Sequence, residues 1–255
     1  MFSECHCHLR SPSENATQQT IREAEKRGVE LVLDAGIDIA SSELAIQNAS
    51  TYPIVKACVG IHPWNSDQYS GETLDSLRTL ASKAHVVAIS EIGLDYVGRR
   101  DRTGTYVNDY ADKSIQQNSF RGQLRLAKEL QLPVVVHDRT STQEVLDILH
   151  EEGNAETGAV IHGFSKDYAY ARRCMDMDIY LSVGLRQIVA TGNEILREAV
   201  KQIPLTWLLT ETDTSDLGGV LTVAERVAEL KRTSVDEVGR VTTQNLRRLI
   251  RKRQQ

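Results

Sequence analysis

Four histidines and two acidic residues of this 255-residue chain follow short apolar segments, where their side chains could act together. His6 and His8 are separated by one residue, so in an extended chain both rings point the same way, about 7 Å apart. The remaining members of the set are Glu91, His137, His162 and Asp213. Imidazole and carboxylate groups are ligands for zinc, manganese and similar divalent ions. Six ligands are too many for one tetrahedral ion, and they suit two ions roughly 3.5–4 Å apart that share a carboxylate.

Strands are needed to bring these residues together, and the chain contains eight candidates. They are short runs rich in Val, Ile and Leu, as fully buried parallel strands are. Their bounds are residues 2–6, 30–35, 54–61, 86–92, 133–137, 159–162, 178–182 and 206–210. Helical patterns lie between most of them, for example over residues 16–27, 71–84 and 114–130. Eight such units predict a TIM-type (β/α) barrel, folded as a single domain over residues 1–255.

An open doubly wound sheet is the alternative architecture. It usually carries a glycine-rich phosphate turn after the first strand, where this chain has His6 and His8. In the barrel, all six polar residues fall at or just beyond the carboxyl ends of strands, which is where barrel enzymes have their active sites. A single histidine at a strand end is more often a hydrogen-bonded core residue. The coincidence of six such residues favours a metal site.

Charge and cysteine content limit the class of protein. The net charge is −5, so no broad positive field attracts nucleic acid. A local basic run, Arg99, Arg100 and Arg102, lies in the predicted loop over residues 96–113 and suits either solvent or a substrate. The four cysteines form no zinc-binding pairs, and no signal peptide or membrane span is evident. We therefore expect reduced thiols, a cytoplasmic location and no membrane or obligate protein partner.

An ordered set of motifs resembles the TatD-type deoxyribonuclease family of the amidohydrolase superfamily. The resemblance spans essentially the whole chain and is specific as a set. The motifs are His6-Cys7-His8-Leu9, Gly60-Ile61-His62-Pro63-Trp64, Ser90-Glu91-Ile92-Gly93-Leu94-Asp95-Tyr96, Leu132-Pro133-Val134-Val135-Val136-His137-Asp138-Arg139, His162-Gly163-Phe164-Ser165 and Thr210-Glu211-Thr212-Asp213. The chain departs from the usual family pattern at Glu4, at Arg10 and over residues 214–216.

The resemblance implies a distorted barrel with two divalent metal ions, of a type (Zn, Mg or Mn) that the sequence does not determine. It implies a first metal bound by His6, His8 and Asp213. It implies a second metal bound by His137 and His162, with Glu91 between the two. The implied reaction is hydrolysis of DNA phosphodiester bonds from a 3′ end.

Catalysis is expected from Asp213, Glu91 and His62. Two cations lower the pKa of a shared water so that hydroxide forms near neutral pH, and Asp213 is placed as the general base. Asp95 and Glu211 are expected to orient the ligands. The expected substrate contacts are His62, Arg139, Trp64 and Tyr96. For the two aromatic residues, stacking on a base and packing under a loop are equally compatible with the sequence.

Other functions fit the same residues. A metal pair on this fold can also hydrolyse another ester or amide, as an aminoacyl-tRNA deacylase, a small phosphoester hydrolase or a lactonase would. A non-catalytic scaffold descended from an enzyme is a third hypothesis. It predicts that metal ligands have been lost, whereas all six candidates are present in this chain.

Overall fold

The computed structural model describes residues 1–10, 13–98, 111–140, 142–153 and 157–251. Within these residues, eight strands form one parallel sheet in which neighbours along the chain are neighbours in the sheet. The strands are β1 Phe2–Cys7, β2 Val29–Ala35, β3 Val55–Val59, β4 Val86–Asp95, β5 Val134–Arg139, β6 Ala159–Ile161, β7 Ile179–Gly184 and β8 Leu208–Glu211.

Helices alternate with the strands in the described parts of the chain. They are α1 Glu14–Lys26, α2 Ile39–Thr51, α3 Gly71–Ala81, α4 Lys113–Glu129, α5 Glu144–Glu152, α6 Tyr168–Asp176, α7 Leu185–Val189, α8 Glu194–Gln202, α9 Gly219–Lys231 and α10 Val235–Ile250. Several begin at a side chain that accepts a hydrogen bond from the first turn; Asp38 and Ser41 form a reciprocal capping box at α2. Short 3₁₀ helices cover Pro63–Gln68 and Leu205–Trp207.

The first and last strands lie side by side, which nearly closes the sheet into a barrel. The backbone N–H of Asp213 donates to the carbonyl oxygen of His6 over 3.0 Å. The N–H of Thr212 donates over 3.0 Å to the carboxylate of Glu4 on β1. The predicted TIM-type barrel is therefore confirmed, and the sequential strand order excludes the doubly wound alternative.

Residue alternation along the strands separates an outer core from an inner one. On β5, Val134 and Val136 pack in the large cluster beneath the helices, whereas Val135 belongs to a smaller cluster that includes side chains of α10. Since side chains alternate across a strand, His137 points to the same inner side as Val135. The same alternation on β6 places His162, which follows that strand, on the inner side.

An irregularity in β4 turns the side chain of Glu91 towards the inside of the barrel. Ile89 and Ile92 both pack in the outer cluster although three positions separate them, and the pairing of β4 with β5 shifts between these two residues. Strict alternation from Ile89 would turn Glu91 outwards. Just beyond, Gly93 has a φ of 144°, and a Cβ there would lie 2.0 Å from the carbonyl oxygen of His137. Only glycine lets these two backbones approach so closely.

Several details differ from the sequence-based expectation or lie beyond it. The segment between β2 and β3 contains helix α2, which was not predicted from the sequence. Strand β4 continues to Asp95, three residues further than predicted. The basic run of Arg99, Arg100 and Arg102 lies outside the described residues. The four cysteines are buried free thiols. Among the described residues, no helix is both long enough and apolar enough to cross a membrane.

Candidate metal centre

Glu91 stands at the centre of the cluster and directs each carboxylate oxygen to a different pair of histidines. Its Oε2 lies 3.3 Å from His6 Nε2 and 3.6 Å from His8 Nε2. Its Oε1 lies 2.6 Å from His137 Nδ1 and 2.7 Å from His162 Nε2. One oxygen for each histidine pair is the arrangement that a carboxylate shared by two cations requires.

Asp213, which follows β8, faces the pair formed by His6 and His8 at the end of the neighbouring strand β1. Its Oδ1 lies 3.4 Å from His8 Nε2 and 3.9 Å from His6 Nε2. A φ of 55° places Asp213 in the left-handed region, which aspartate tolerates better than most residues. Its side chain is 26% exposed, against 4% for Glu91. Asp213 is therefore the acid of the centre that solvent and a substrate can reach.

The outer nitrogen of His137 is fixed by a carboxylate. His137 Nε2 donates to Asp95 Oδ2 over 3.0 Å, so its Nδ1 is the atom that faces Glu91. Trp64 donates its indole N–H to the same oxygen over 2.9 Å. The other oxygen of Asp95 accepts the backbone N–H groups of Val97 and Gly98. Asp95 thus holds the His137 ring with one oxygen while its other oxygen is fixed by the backbone that follows β4. This is the role expected for a residue that orients a metal ligand.

Two further histidines are oriented in the same manner. His8 Nδ1 lies 2.9 Å from the carbonyl oxygen of Ala35, which can only accept, so Nδ1 donates there and Nε2 is the nitrogen left to face the centre. His162 Nδ1 lies 3.2 Å from the buried carboxylate of Glu211, which also accepts the N–H of Gly163. These partners fix both the tautomer and the direction of each ring.

His62 behaves differently, although its ring also borders the cluster. Its Nδ1 accepts the backbone N–H of Trp64 over 3.0 Å, so its Nε2 carries the proton and points to Glu91 Oε1 at 3.4 Å. Burial lowers the pKa of His62 to about 4, against the raising effect of Glu91. His62 is therefore neutral near pH 7 and offers an N–H donor, whereas a metal ligand must offer a lone pair.

The nitrogen and oxygen atoms of the cluster are arranged as cation ligands. In the part of the chain that the structure describes, both ring nitrogens of His6 are buried without a hydrogen-bond partner. His137 Nδ1 and His162 Nε2 lie only 3.1 Å apart, so a proton or a metal ion must separate their lone pairs. Within the described residues, the potential ligand atoms of His6, His8 and Glu91 all lie within 4.8 Å of one another. The potential ligand atoms of His62, Glu91 and His137 also lie within 4.8 Å of one another. His62 is nevertheless not a ligand, because its Nε2 carries a proton.

Opposing charges control the acid–base state of the centre. Burial alone would raise the pKa of Glu91, but His162, His62 and His6 lower it well below its usual value. Burial disfavours the charged form of His162, but the carboxylates of Glu91 and Glu211 outweigh it and raise the pKa of that ring well above its usual value. Glu91 and His162 therefore hold each other in their charged forms, whereas burial and the charge of His162 lower the pKa of His6.

The residues predicted to touch a substrate lie around this centre in different settings. Arg139 ends β5, two residues after His137, and is half-buried. Trp64 is half-buried beside the His62 ring, with a centroid distance of 4.5 Å. Tyr96 follows β4, and the Lys113 ammonium lies 4.5 Å from its ring centroid. One face of the Tyr96 ring is thus already covered, so a base could stack only on the other.

Comparison with known proteins identifies the family. A family model described as TatD related DNase matches residues 4–251. The chain belongs to this family. It is 33% identical over 264 residues to the uncharacterized metal-dependent hydrolase YabD of Bacillus subtilis, covering 98% of this chain and 99% of that protein. It is 30% identical to human deoxyribonuclease TATDN3, covering 98% of this chain and 94% of that protein.

Solved structures agree with the TatD assignment. The Escherichia coli TatD homologue YJJV superposes with a TM-score of 0.85 at 25% identity, covering 98% of this chain and 97% of that chain. A TatD family hydrolase of Entamoeba histolytica gives a TM-score of 0.84 at 19% identity, with 98% and 97% covered, and supports the fold alone. The chain is therefore a metal-dependent hydrolase with a TIM-type barrel.

Proposed function

We propose that this TatD-family hydrolase cleaves DNA phosphodiester bonds, from a 3′ end, with two divalent ions. His6, His8 and Asp213 would hold the first ion. His137 and His162 would hold the second, and Glu91 would bridge the two. The observation that carries the proposal is the Glu91 carboxylate, whose two oxygens face separate histidine pairs at 2.6–3.6 Å.

Residues of the chain then have separate roles around the scissile phosphate. When bound, the ions lower the pKa of the attacking water and neutralise charge on the phosphate. Asp213 is exposed enough to meet that water and takes its proton as general base. Burial would raise the pKa of Asp213, but hydrogen bonding by His8 and the charges of His162 and His6 bring it to about 2, so it is ionised near pH 7.

Substrate binding falls to donors at the rim. His62 presents a neutral N–H towards the centre and would donate to a phosphoryl oxygen, where charge increases during the reaction. Arg139 would bind the same phosphate from the end of β5. Trp64, which is fixed by Asp95, offers a half-buried aromatic surface for a base. DNA as the substrate is supported by the name of the human relative.

The test is hydrolysis of a 3′-labelled single-stranded DNA by metal-free protein, with Mg²⁺, Mn²⁺ or Zn²⁺ added back. We expect metal-restored release of the labelled 3′ nucleotide that is lost in Glu91→Ala. Glu72→Ala, which alters an exposed acid on α3, serves as the matched control and should retain activity. Metal-loaded protein that leaves the DNA intact would overturn the proposal in favour of another ester or amide substrate.

A further inference from the structure

Arg10 lies directly behind one of the candidate metal ligands. Its Nη2 is 3.3 Å from His8 Nδ1 and 3.5 Å from the carbonyl oxygen of Ala35. The opposite nitrogen of the same ring, His8 Nε2, faces Glu91 at 3.6 Å and Asp213 at 3.4 Å. A single imidazole ring therefore separates the Arg10 guanidinium from the centre, and the arginine side chain is exposed at the rim.

The guanidinium of Arg10 has donors to spare. His8 Nδ1 already donates to Ala35, so it has no lone pair for Arg10, and the long contact with Ala35 uses one N–H of five. The described residues give Arg10 no ion pair with a carboxylate. By contrast, Arg78 and Arg240, which lie on outer helices, each bind a glutamate through two nitrogens. Among the described residues, Arg10 thus has no ion-paired carboxylate, and the buried carboxylate of Asp34 interacts with it only at longer range. Arg10 is therefore a cation at the mouth of the site whose donors remain open to an anionic substrate.

The strand order places Arg10 opposite the other rim cation. Arg10 follows β1 and Arg139 ends β5, and in the order β1 to β8 these strands are four apart. In a ring of eight strands, positions four apart are on facing walls. The metal centre lies between them, since His8 belongs to one wall and His137 to the other. A chain of phosphates that crosses the mouth would meet Arg139, the centre and Arg10 in turn.

We propose that Arg10 forms a second phosphate subsite, which binds the phosphate next to the scissile one in a single-stranded polynucleotide. The inference rests on the proposed function and names the part of its substrate that lies beyond the reacting bond. A guanidinium binds phosphate oxygens in a bidentate manner, so the subsite selects polynucleotides over esters with a single phosphate. Because Arg10 touches neither the scissile phosphate nor the attacking water, its contribution is to substrate binding.

The test compares two substrates and three variants of the metal-loaded protein. The substrates are a single-stranded oligodeoxynucleotide and bis(p-nitrophenyl) phosphate, which has one phosphate and no neighbour. For Arg10→Ala we expect the KM for the oligonucleotide to rise about 10-fold, with kcat nearly unchanged. We also expect the slope of log KM against log salt concentration to fall by about one. Arg10→Lys should recover part of the loss, and Arg22→Ala, an exposed arginine of α1, should behave as wild type.

The second substrate separates a subsite from an effect on the metal centre. Unchanged hydrolysis of bis(p-nitrophenyl) phosphate by Arg10→Ala would support the subsite. An equal loss on both substrates would overturn it and show that Arg10 acts through His8. The subsite would also be overturned if Arg10→Ala cleaved the oligonucleotide with the same kinetics as the control variant Arg22→Ala. If wild-type protein cleaves the small diester and no oligonucleotide, the DNA assignment itself fails, and the subsite fails with it.

Discussion

His137 and Asp95 are joined by a hydrogen bond of 3.0 Å from Nε2 to Oδ2. This bond leaves Nδ1 of the ring as the atom that faces Glu91, whereas His8 and His162 face the centre through Nε2. The direction of each ring is therefore set by a partner outside the ligand set. Such partners tune affinity because they fix the tautomer before the metal arrives.

Asp95→Asn tests this relationship. Asp95 uses one oxygen for His137 and Trp64 and the other for the N–H groups of Val97 and Gly98. Asparagine has one acceptor in place of two, so one of these sets must lose its bonds. We expect metal affinity to fall about 10–100-fold in a titration of metal-free protein. Asp147→Asn, which affects an exposed acid of α5, should bind metal as wild type does. Equal affinities for the two variants would show that Asp95 does not tune the metal site.

Metal binding should depend on pH through His162. The pKa of this ring is raised well above its usual value by Glu91 and Glu211, so the metal-free site retains the proton above pH 6.5. A metal ion must displace that proton, and affinity should fall as pH decreases through the raised pKa. Calorimetry in buffers of different ionisation enthalpy should show proton release at pH 7. Fewer protons should be released per metal ion bound in Glu211→Gln, because the pKa of His162 is then lower. Release equal to that of the wild type would show that Glu211 does not raise the pKa of His162.

His62→Ala should separate substrate binding from metal binding. The Trp64 N–H fixes the tautomer of His62, so that this ring supplies an N–H and no lone pair to the centre. We expect an unchanged metal content by elemental analysis and a loss of about 100-fold in kcat/KM, as for removal of one donor to a charged oxygen. Loss of a metal ion from the variant would show instead that His62 is a ligand.

Gly93→Ala should disturb the centre through the backbone. An added Cβ would meet the carbonyl oxygen of His137 at 2.0 Å, at a φ of 144° that side chains avoid. We expect the free energy of unfolding to fall by about 3 kcal/mol and metal affinity to fall with it, measured by denaturant titration with and without metal. Gly71→Ala, where nothing lies within 4 Å of the added atom, is the control. A near-neutral Gly93→Ala would mean that β4 and β5 can separate there.

Sequence reasoning was sufficient for the barrel because buried parallel strands appear as short apolar runs at regular intervals. It missed α2, whose buried face has small residues such as Ala45 and Ala49 and therefore no strong apolar stripe. It ended β4 too early because the segment up to Asp95 combines polar residues with an irregular register. Residue type alone does not reveal such irregularities.

The set of candidate ligands was predictable because their types and strand-end positions are visible in the chain. Their orientation was not predictable. His8 depends on the backbone carbonyl of Ala35, and His62 on the backbone N–H of Trp64, and neither bond has a signature in residue type. The contact between Arg10 and His8 also depends on the turn that follows β1. In a fully extended chain the two side chains would point the same way, about 7 Å apart, and would run parallel without this contact.

Anomalous diffraction from crystals loaded with Zn²⁺ or Mn²⁺ would show whether Glu91 bridges two metal ions. We predict two anomalous peaks roughly 3.5–4 Å apart. One should be bordered by His6, His8 and Asp213 and the other by His137 and His162, with one oxygen of Glu91 bound to each. A single peak, or two peaks of which neither contacts Glu91, would rule out a Glu91 carboxylate shared by two ions.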